Sequence, residues 1–204
     1  MNLMEAKDDA LSYLKISNTE VMKWFRTSLS VETKSDQSPV TIADRKVEEL
    51  LRKKISKDYP NHGIIGEEFG EDSSKSEWTW TIDPIDGTRS FIRGLPLFAS
   101  LISLLNKGEP VMGIISLPAL RETVWAVKGK GTYCGNQRLL VSKSKQIKKS
   151  FIGTADIYCF KEKKCLNLFN RLKREAQIVR VYPDAFGHLM AIRGAIDVMV
   201  DPWA

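Results

Sequence analysis

"WTWTIDPIDGTRSFIRG" (residues 78–94) decides how the rest of the chain is read. Its first six residues mix aromatic and β-branched side chains, the composition of a buried strand. The run ends on Asp83, Pro84 then fixes a backbone torsion, and a second carboxylate, Asp86, follows with Gly87 and Thr88 directly after it. A plain surface turn is one reading of D-P-x-D-G. The other is a metal site that handles phosphate. A strand delivers its last residue to the sheet's edge, where loops and ligands meet, so Asp83 is expected at a strand terminus with Asp86 returning beside it. Two carboxylates within about 4–6 Å repel unless something positive lies between them. A donor set made only of oxygens suits Mg²⁺. Gly87 lets the backbone approach an anion closely, and Thr88 is placed to open a short helix, "TRSFIRG", whose first amides would face a phosphate.

A third source of acid lies upstream. "GIIGEEF" sets Glu67 and Glu68 just after another short apolar run. An isolated Glu-Glu pair belongs on a surface. Both acidic stretches at strand ends, with Thr-Arg-Ser-Phe following the second, favour a site. Glu67, Asp83 and Asp86, with the Ile85 carbonyl, would form an acidic oxygen cage in which bound Mg²⁺ holds a phosphate ester and lowers the pKa of a water.

Outward from this centre the chain reads as layered α and β structure with mixed sheets. Residues 3–29 carry apolar positions at helical spacing, as one long helix or as two broken near Ser17-Asn18. "KSDQSPVTIAD" (34–44) is a polar loop, extended around Pro39. A helix runs from Thr41 or Asp44 to about Asp58, with Val47, Leu50, Leu51 and Ile55 on one face, and "YPNHG" stops it. Strands are expected at 63–66, 78–83, 97–105, 111–117 and 122–129, with turns at "NKGEP" (106–110) and "GNQ" (135–137). Later come a strand near "IGTAD", a helix over 162–175, a strand at "QIVRVY", a helix at "AFGHLMAIRG" and a last strand at "AIDVMVD". The expected organisation is a single domain, with one lobe to about residue 140 and the start of a second over 141–204.

At 204 residues, 43% hydrophobic and 27% charged, the composition is that of an ordinary globular protein. No apolar run reaches the ~18 residues of a membrane span, and "MNLMEAKDDALSYLK" is a poor secretory signal and a good amphipathic helix. A cytoplasmic protein without membrane partners is expected. Three cysteines and two histidines, without C-x-x-C spacing, leave little for a zinc site and point to reduced thiols. The net charge of +6 gathers in "SKSKQIKKS" (142–150), "KEKKC" (161–165) and "RLKREAQ" (171–177). No aromatic stripe interleaves these bases, so nucleic-acid binding finds no support beyond electrostatics.

"GEE" followed by "WTWTIDPIDGTRSFIRGLPLF" resembles the inositol monophosphatase family of Mg²⁺-dependent, lithium-sensitive phosphatases. "KSDQSPVTIAD" is similar to that family's upstream segment, and "GEPVMGIISLPALRETVWAVKGKGTYCGNQRLLVS" to its middle hairpins. The resemblance implies an α-β-α-β-α sandwich of the sugar-phosphatase type. It implies that Glu67 binds a first metal and helps activate the attacking water. By the same likeness Asp83 bridges metals, the Ile85 carbonyl ligates the first and Asp86 the second. Thr88 would orient the nucleophilic water with Asp44 behind its hydroxyl, the Gly87 and Thr88 amides would hold phosphate, and Lys34 would sit in a loop over the metals. The expected reaction is in-line attack of water on a small-molecule phosphate monoester without a phosphoenzyme, in a protein that is a homodimer.

Ser90-Phe91 stands where the inositol branch has Asn-Phe, so the likeness is to the histidinol-phosphate phosphatase branch, with inositol monophosphate or a related sugar or nucleotide phosphate as the alternative. Asp184 and Asp201 would then face the alcohol part of the substrate, where an acid suits the ammonium group of histidinol phosphate. Pro183 replaces the glycine of the resemblance before Asp184. The resemblance also implies a Trp-Asp motif with a further metal ligand after the last strand. Here the sequence reads "VDPWA" to Ala204. A clipped chain, a frameshifted product and a shortened protein with a non-catalytic or binding role are the three readings of that difference.

Overall fold

The computed structural model describes residues 1–28, 31–33, 39–72 and 74–203. Lys34, and with it the proposed covering loop, lies outside the described residues. The chain divides into two compact units, Met1–Gln137 and Arg138–Ala204.

The first unit begins with α1 (Leu3–Trp24), capped by the Asn2 side chain, which accepts from the Met4 amide at 3.1 Å. Ala6, Ala10, Tyr13, Leu14, Ser17 and Val21 recur at three- and four-residue spacing and are buried, so one face is apolar and the helix packs through it. Of the two readings of this stretch, the single long helix is the one found, without a break near Ser17-Asn18. The Ser17 hydroxyl donates to Leu14 O at 3.1 Å inside the helix and leaves the backbone ladder alone. Two short strands follow, β1 (Val31–Thr33) and β2 (Pro39–Thr41), paired antiparallel. Then comes α2 (Ile42–Asp58), started by a reciprocal cap: Thr41 Oγ1 accepts from the Ala43 amide, and Asp44 Oδ2 accepts from the Thr41 amide at 2.8 Å. Val47, Leu51 and Ile55 are fully buried along α2, one turn apart. Each such side chain contributes about 1.5–3 kcal/mol.

These helices pack on a mixed sheet built from β3 (Gly63–Gly66), β4 (Gly70–Asp72), β5 (Trp78–Asp86), β6 (Ala99–Asn106), β7 (Glu109–Leu117), β8 (Glu122–Val127), β9 (Gly131–Cys134) and β10 (Gln137–Leu139). The order is β10-β9-β8-β7-β6-β5-β3-β4; β3 and β5 run parallel, and the paired neighbours β3–β4 and β5 through β9 are antiparallel. The Lys107-Gly108 turn has both residues at positive φ, which closes the β6–β7 hairpin tightly. A short helix, α3 (Thr88–Ile92), follows β5, with Gly87 left-handed ahead of it. Trp80, Ile82, Ile85, Ile102, Leu104, Met112 and Ile114 of the sheet share one core with both long helices.

The second unit has a three-stranded parallel sheet, β11 (Phe151–Thr154), β12 (Ile178–Val181) and β13 (Val198–Val200), in the order β12-β11-β13. The single helix expected over 162–175 is two, α4 (Ile157–Glu162) and α5 (Leu166–Glu175). Lys164 takes a left-handed φ of 56° between them and breaks the path. The last helix, α6 (Asp184–Ile192), packs on β11 and β13. Gly187 on α6 is needed for that packing, since a Cβ there would lie 2.7 Å from the Met199 methyl and 2.9 Å from Tyr182 O.

Candidate active site

The sequence suggested a strand that stops at Asp83. The structure instead carries β5 on to Asp86, through an irregularity in register. Asp83 is opposite Leu101 of β6, and Asp86 is opposite Ala99. Three steps along β5 thus match two along β6, which is a bulge. In a regular strand, residues three apart point to opposite faces. The extra residue shifts the phase, so Asp83 and Asp86 face the same way as Leu101 and Ala99, while Pro84 and Ile85 turn inward and are buried. Pro84 suits this place because it has no amide to give to the ladder. The fully buried Ser100 donates its hydroxyl to Pro84 O at 2.8 Å and satisfies a carbonyl at the bulge.

Glu67 arrives from the other side. β3 and β5 run parallel with Gly66 beside Ile82, so the next residue on each strand, Glu67 and Asp83, are neighbours. Their carboxyl groups lie within hydrogen-bonding reach. Burial first, then the charges of Glu67 and Asp86, push the Asp83 carboxyl well above the usual carboxylate range; the Ile85 amide, donating to Asp83 Oδ1 at 3.1 Å, pulls the other way. Among the described residues no group of three His, Cys, Asp or Glu side chains stands as a finished metal cage. The chemistry present is nevertheless what a hard cation fits: clustered carboxylates in a poorly solvated place, with oxygen donors only.

Thr88, at the start of α3, donates its hydroxyl to Ile85 O at 3.0 Å and lies 3.5 Å from Asp44 Oδ1. Asp44 is 1% exposed. Burial raises its pKa, while the Thr41 hydroxyl and amide, both bound to Oδ2, oppose that rise. The structure therefore brings together Asp44, Glu67, Asp83, Ile85, Asp86, Gly87 and Thr88. Asp184 and Asp201 belong to the second unit. Asp184 opens α6 with a left-handed φ of 51°. Asp201 accepts from the Trp203 amide at 2.9 Å and lies 3.6 Å from His188 Nε2. Sequence reading missed Ser100, and it missed Glu48, a buried carboxylate on α2 that accepts from the Glu68 amide at 2.7 Å. The spacing Asp44-Glu48-Arg52 was the available signal.

A bulged strand presenting two acids, a third from the parallel neighbour and a threonine on a short helix describe a phosphate-ester hydrolase of the mixed α/β kind. Residues 8–203 match the inositol monophosphatase family, and the chain belongs to it. It is 39% identical over 188 residues to a protein named histidinol-phosphatase from Chlorobaculum parvum, an alignment covering 87% of this chain and 70% of that one. It is 35% identical over 179 residues to a protein named histidinol-phosphatase from Mycobacterium tuberculosis, covering 85% of this chain and 69% of the relative. Among solved structures, the Thermotoga maritima IMPase superposes with a TM-score of 0.86 at 27% identity, covering 97% of this chain and 76% of that one. The protein is a phosphatase, and the mixed α/β architecture expected from the sequence is that of this family.

Proposed function

We propose that this phosphatase hydrolyses histidinol phosphate in an Mg²⁺-dependent reaction centred on Glu67, Asp83, Asp86 and the Ile85 carbonyl. The observation that carries the metal reading is the β5 bulge, which turns Asp83 and Asp86 to one face beside Glu67. The substrate reading is supported by the names of the relatives at 35–39% identity.

Mg²⁺, when bound, supplies a Lewis acid that polarises the phosphoryl group and makes water a better nucleophile. Around it the chain's own residues have defined tasks. Glu67, exposed at the mouth, takes up the proton of the attacking water. Thr88 Oγ1 has a single proton, given to Ile85 O in this structure, so its lone pairs accept from that water and orient it. Asp44 Oδ1 offers the same proton a second acceptor. The Gly87 and Thr88 amides meet the phosphate oxygens, helped by the left-handed Gly87 that lets the backbone come close. The assignment of Asp184 and Asp201 to the ammonium-bearing end of the substrate rests on the resemblance alone, an acid being a suitable partner for an ammonium group.

Phosphate release from histidinol phosphate, inositol 1-phosphate and an aryl phosphate, with and without Mg²⁺, tests this. Histidinol phosphate should give the highest kcat/KM. Asp83→Asn should lower it by more than about 100-fold, beyond the range for residues that merely support a metal ligand. Preference for inositol 1-phosphate would overturn the substrate. Wild-type turnover by Asp83→Asn would remove the metal site.

A further inference from the structure

Helix α2 carries three polar side chains, Asp44, Glu48 and Arg52, spaced four residues apart and therefore aligned on one face. The first stands behind Thr88. The other two do something else. Glu48 is 0% exposed, and a carboxylate so placed needs hydrogen bonds on its oxygens. It has three: Oε2 accepts from the Glu68 amide at 2.7 Å, and Oε1 accepts from the Phe69 amide at 3.1 Å and from Arg52 Nε at 2.8 Å. Arg52 continues the chain of contacts, donating Nη2 to Gly70 O and Nη1 to Asp72 Oδ2 at 2.7 Å.

The turn between β3 and β4 is thus held by two amides and a carbonyl to a rigid helix. The hairpin pairs of β3 with β4 tie it as well, but β4 is three residues long and all of them are exposed. Gly66 is part of the same arrangement. It lies outside the left-handed region, so backbone freedom is not the reason for glycine. Space is: a Cβ at position 66 would lie 2.0 Å from Glu48 Oε1 and 2.7 Å from Arg52 Nη2. The residue directly after Gly66 is Glu67.

We infer that Glu48 and Arg52 are positioning residues, a clasp from α2 that fixes the turn and thereby aims Glu67 at Asp83, setting the affinity for the divalent cation. This rests on the metal reading of the preceding subsection. The clasp touches neither substrate nor cation, so its loss should change how much Mg²⁺ is needed far more than how fast the loaded enzyme turns over.

The test uses the full chain and has two readouts independent of turnover: amide hydrogen exchange at Glu68 and Phe69, and Mg²⁺ binding by titration calorimetry. Glu48→Gln should speed exchange at both amides and weaken Mg²⁺ binding by about 10–100-fold, the usual cost of losing support behind a ligand. Its kcat at saturating Mg²⁺ should stay within about threefold of wild type, as expected when the transition-state contacts are kept. Gly66→Ala should reproduce this by displacing the Glu48 carboxylate without removing it. Should Glu48→Gln fail to give a cooperative melt, Arg52→Met keeps Glu48 and both its amide bonds, and a smaller shift of the same sign is expected. Faster exchange with unchanged Mg²⁺ affinity overturns the inference, as does unchanged exchange. A wild-type protein that binds no Mg²⁺ overturns the metal reading itself, and the inference with it; normal wild-type binding with unaltered variants overturns the inference alone.

Discussion

Asp83 in the first unit and Asp197 in the second are the same residue type in opposite circumstances. Asp197 accepts from the Ser142 hydroxyl and from the Phe151 amide, the latter at 2.7 Å, and these two donors hold its pKa below the usual carboxylate value. Asp83 has the Ile85 amide as a donor, but burial, Glu67 and Asp86 outweigh it and raise its pKa. An acid that fastens a chain arrives with its donors supplied. An acid surrounded by other acids is held in place by the rest of the fold, at a cost to stability. The contrast separates a carboxylate that has its donors in place from one crowded by other acids.

The largest effect that can break this contrast is a difference in sign. In a chelator, Asp83→Asn should leave the protein as stable as wild type or raise its melting temperature, because a like-charge contact is removed. Asp197→Asn should lower stability by about 1 kcal/mol, the scale of a partly exposed charged hydrogen-bond pair. The pH dependence has a matching sign. Because the Asp197 pKa is depressed in the folded state, its contribution is full above the ordinary value of 3.8 and is lost as pH falls through the folded value. Asp197→Asn should flatten the stability curve in that acid range. Thermal melts of both variants across pH decide it; two losses of equal size would erase the distinction.

A smaller effect tests the bulge that makes the first region unusual. Ser100→Ala removes the hydroxyl bound to Pro84 O in a fully buried place. The expected loss is about 1 kcal/mol, because a buried carbonyl gives up a partner. Mg²⁺ affinity should fall with it if the bulge sets the spacing of Asp83 and Asp86. A stable variant with wild-type Mg²⁺ binding would show that Pro84 holds the shape unaided.

The elements were legible in the sequence wherever periodicity and punctuation agreed. Val47, Leu51 and Ile55 gave α2, and the β6–β7 hairpin followed from Asn106-Lys107-Gly108. Three things were not legible, for separate reasons. The phase shift at Asp83–Asp86 depends on which β6 residues lie opposite, a long-range register that no local pattern contains. The split between α4 and α5 turns on one lysine at positive φ, which intrinsic preference argues against. In sequence Glu48 is one charge among many on an amphipathic helix; its burial comes from the Glu67–Phe69 turn folding over it. That Glu67, Asp83 and Asp86 lie close together could be read from their residue types, although β5 runs on past Asp83 to Asp86. The devices that orient them could not.

The smallest expected effect carries the contrast to a base. His62 is half-buried, with its ring centroid 5.0 Å from that of Tyr59 and 6.2 Å from that of Trp78, and its Nδ1 accepts from Trp80 Nε1 at 3.1 Å. Burial, and secondarily the positive chain terminus, lower its pKa from the ordinary 6.5. A proton on Nδ1 would end the bond from Trp80, so the neutral ring is the one the fold accommodates. The folded state then binds fewer protons than the unfolded chain just below pH 6.5, and stability present above that value is lost as pH falls through the folded pKa. Denaturant melts from pH 8 down to pH 5 should show this decline, against a flatter curve for His62→Asn, whose amide oxygen can accept from Trp80 without titrating. Identical slopes for the two proteins would mean that His62 titrates alike in the folded and unfolded chains and adds nothing to the pH dependence.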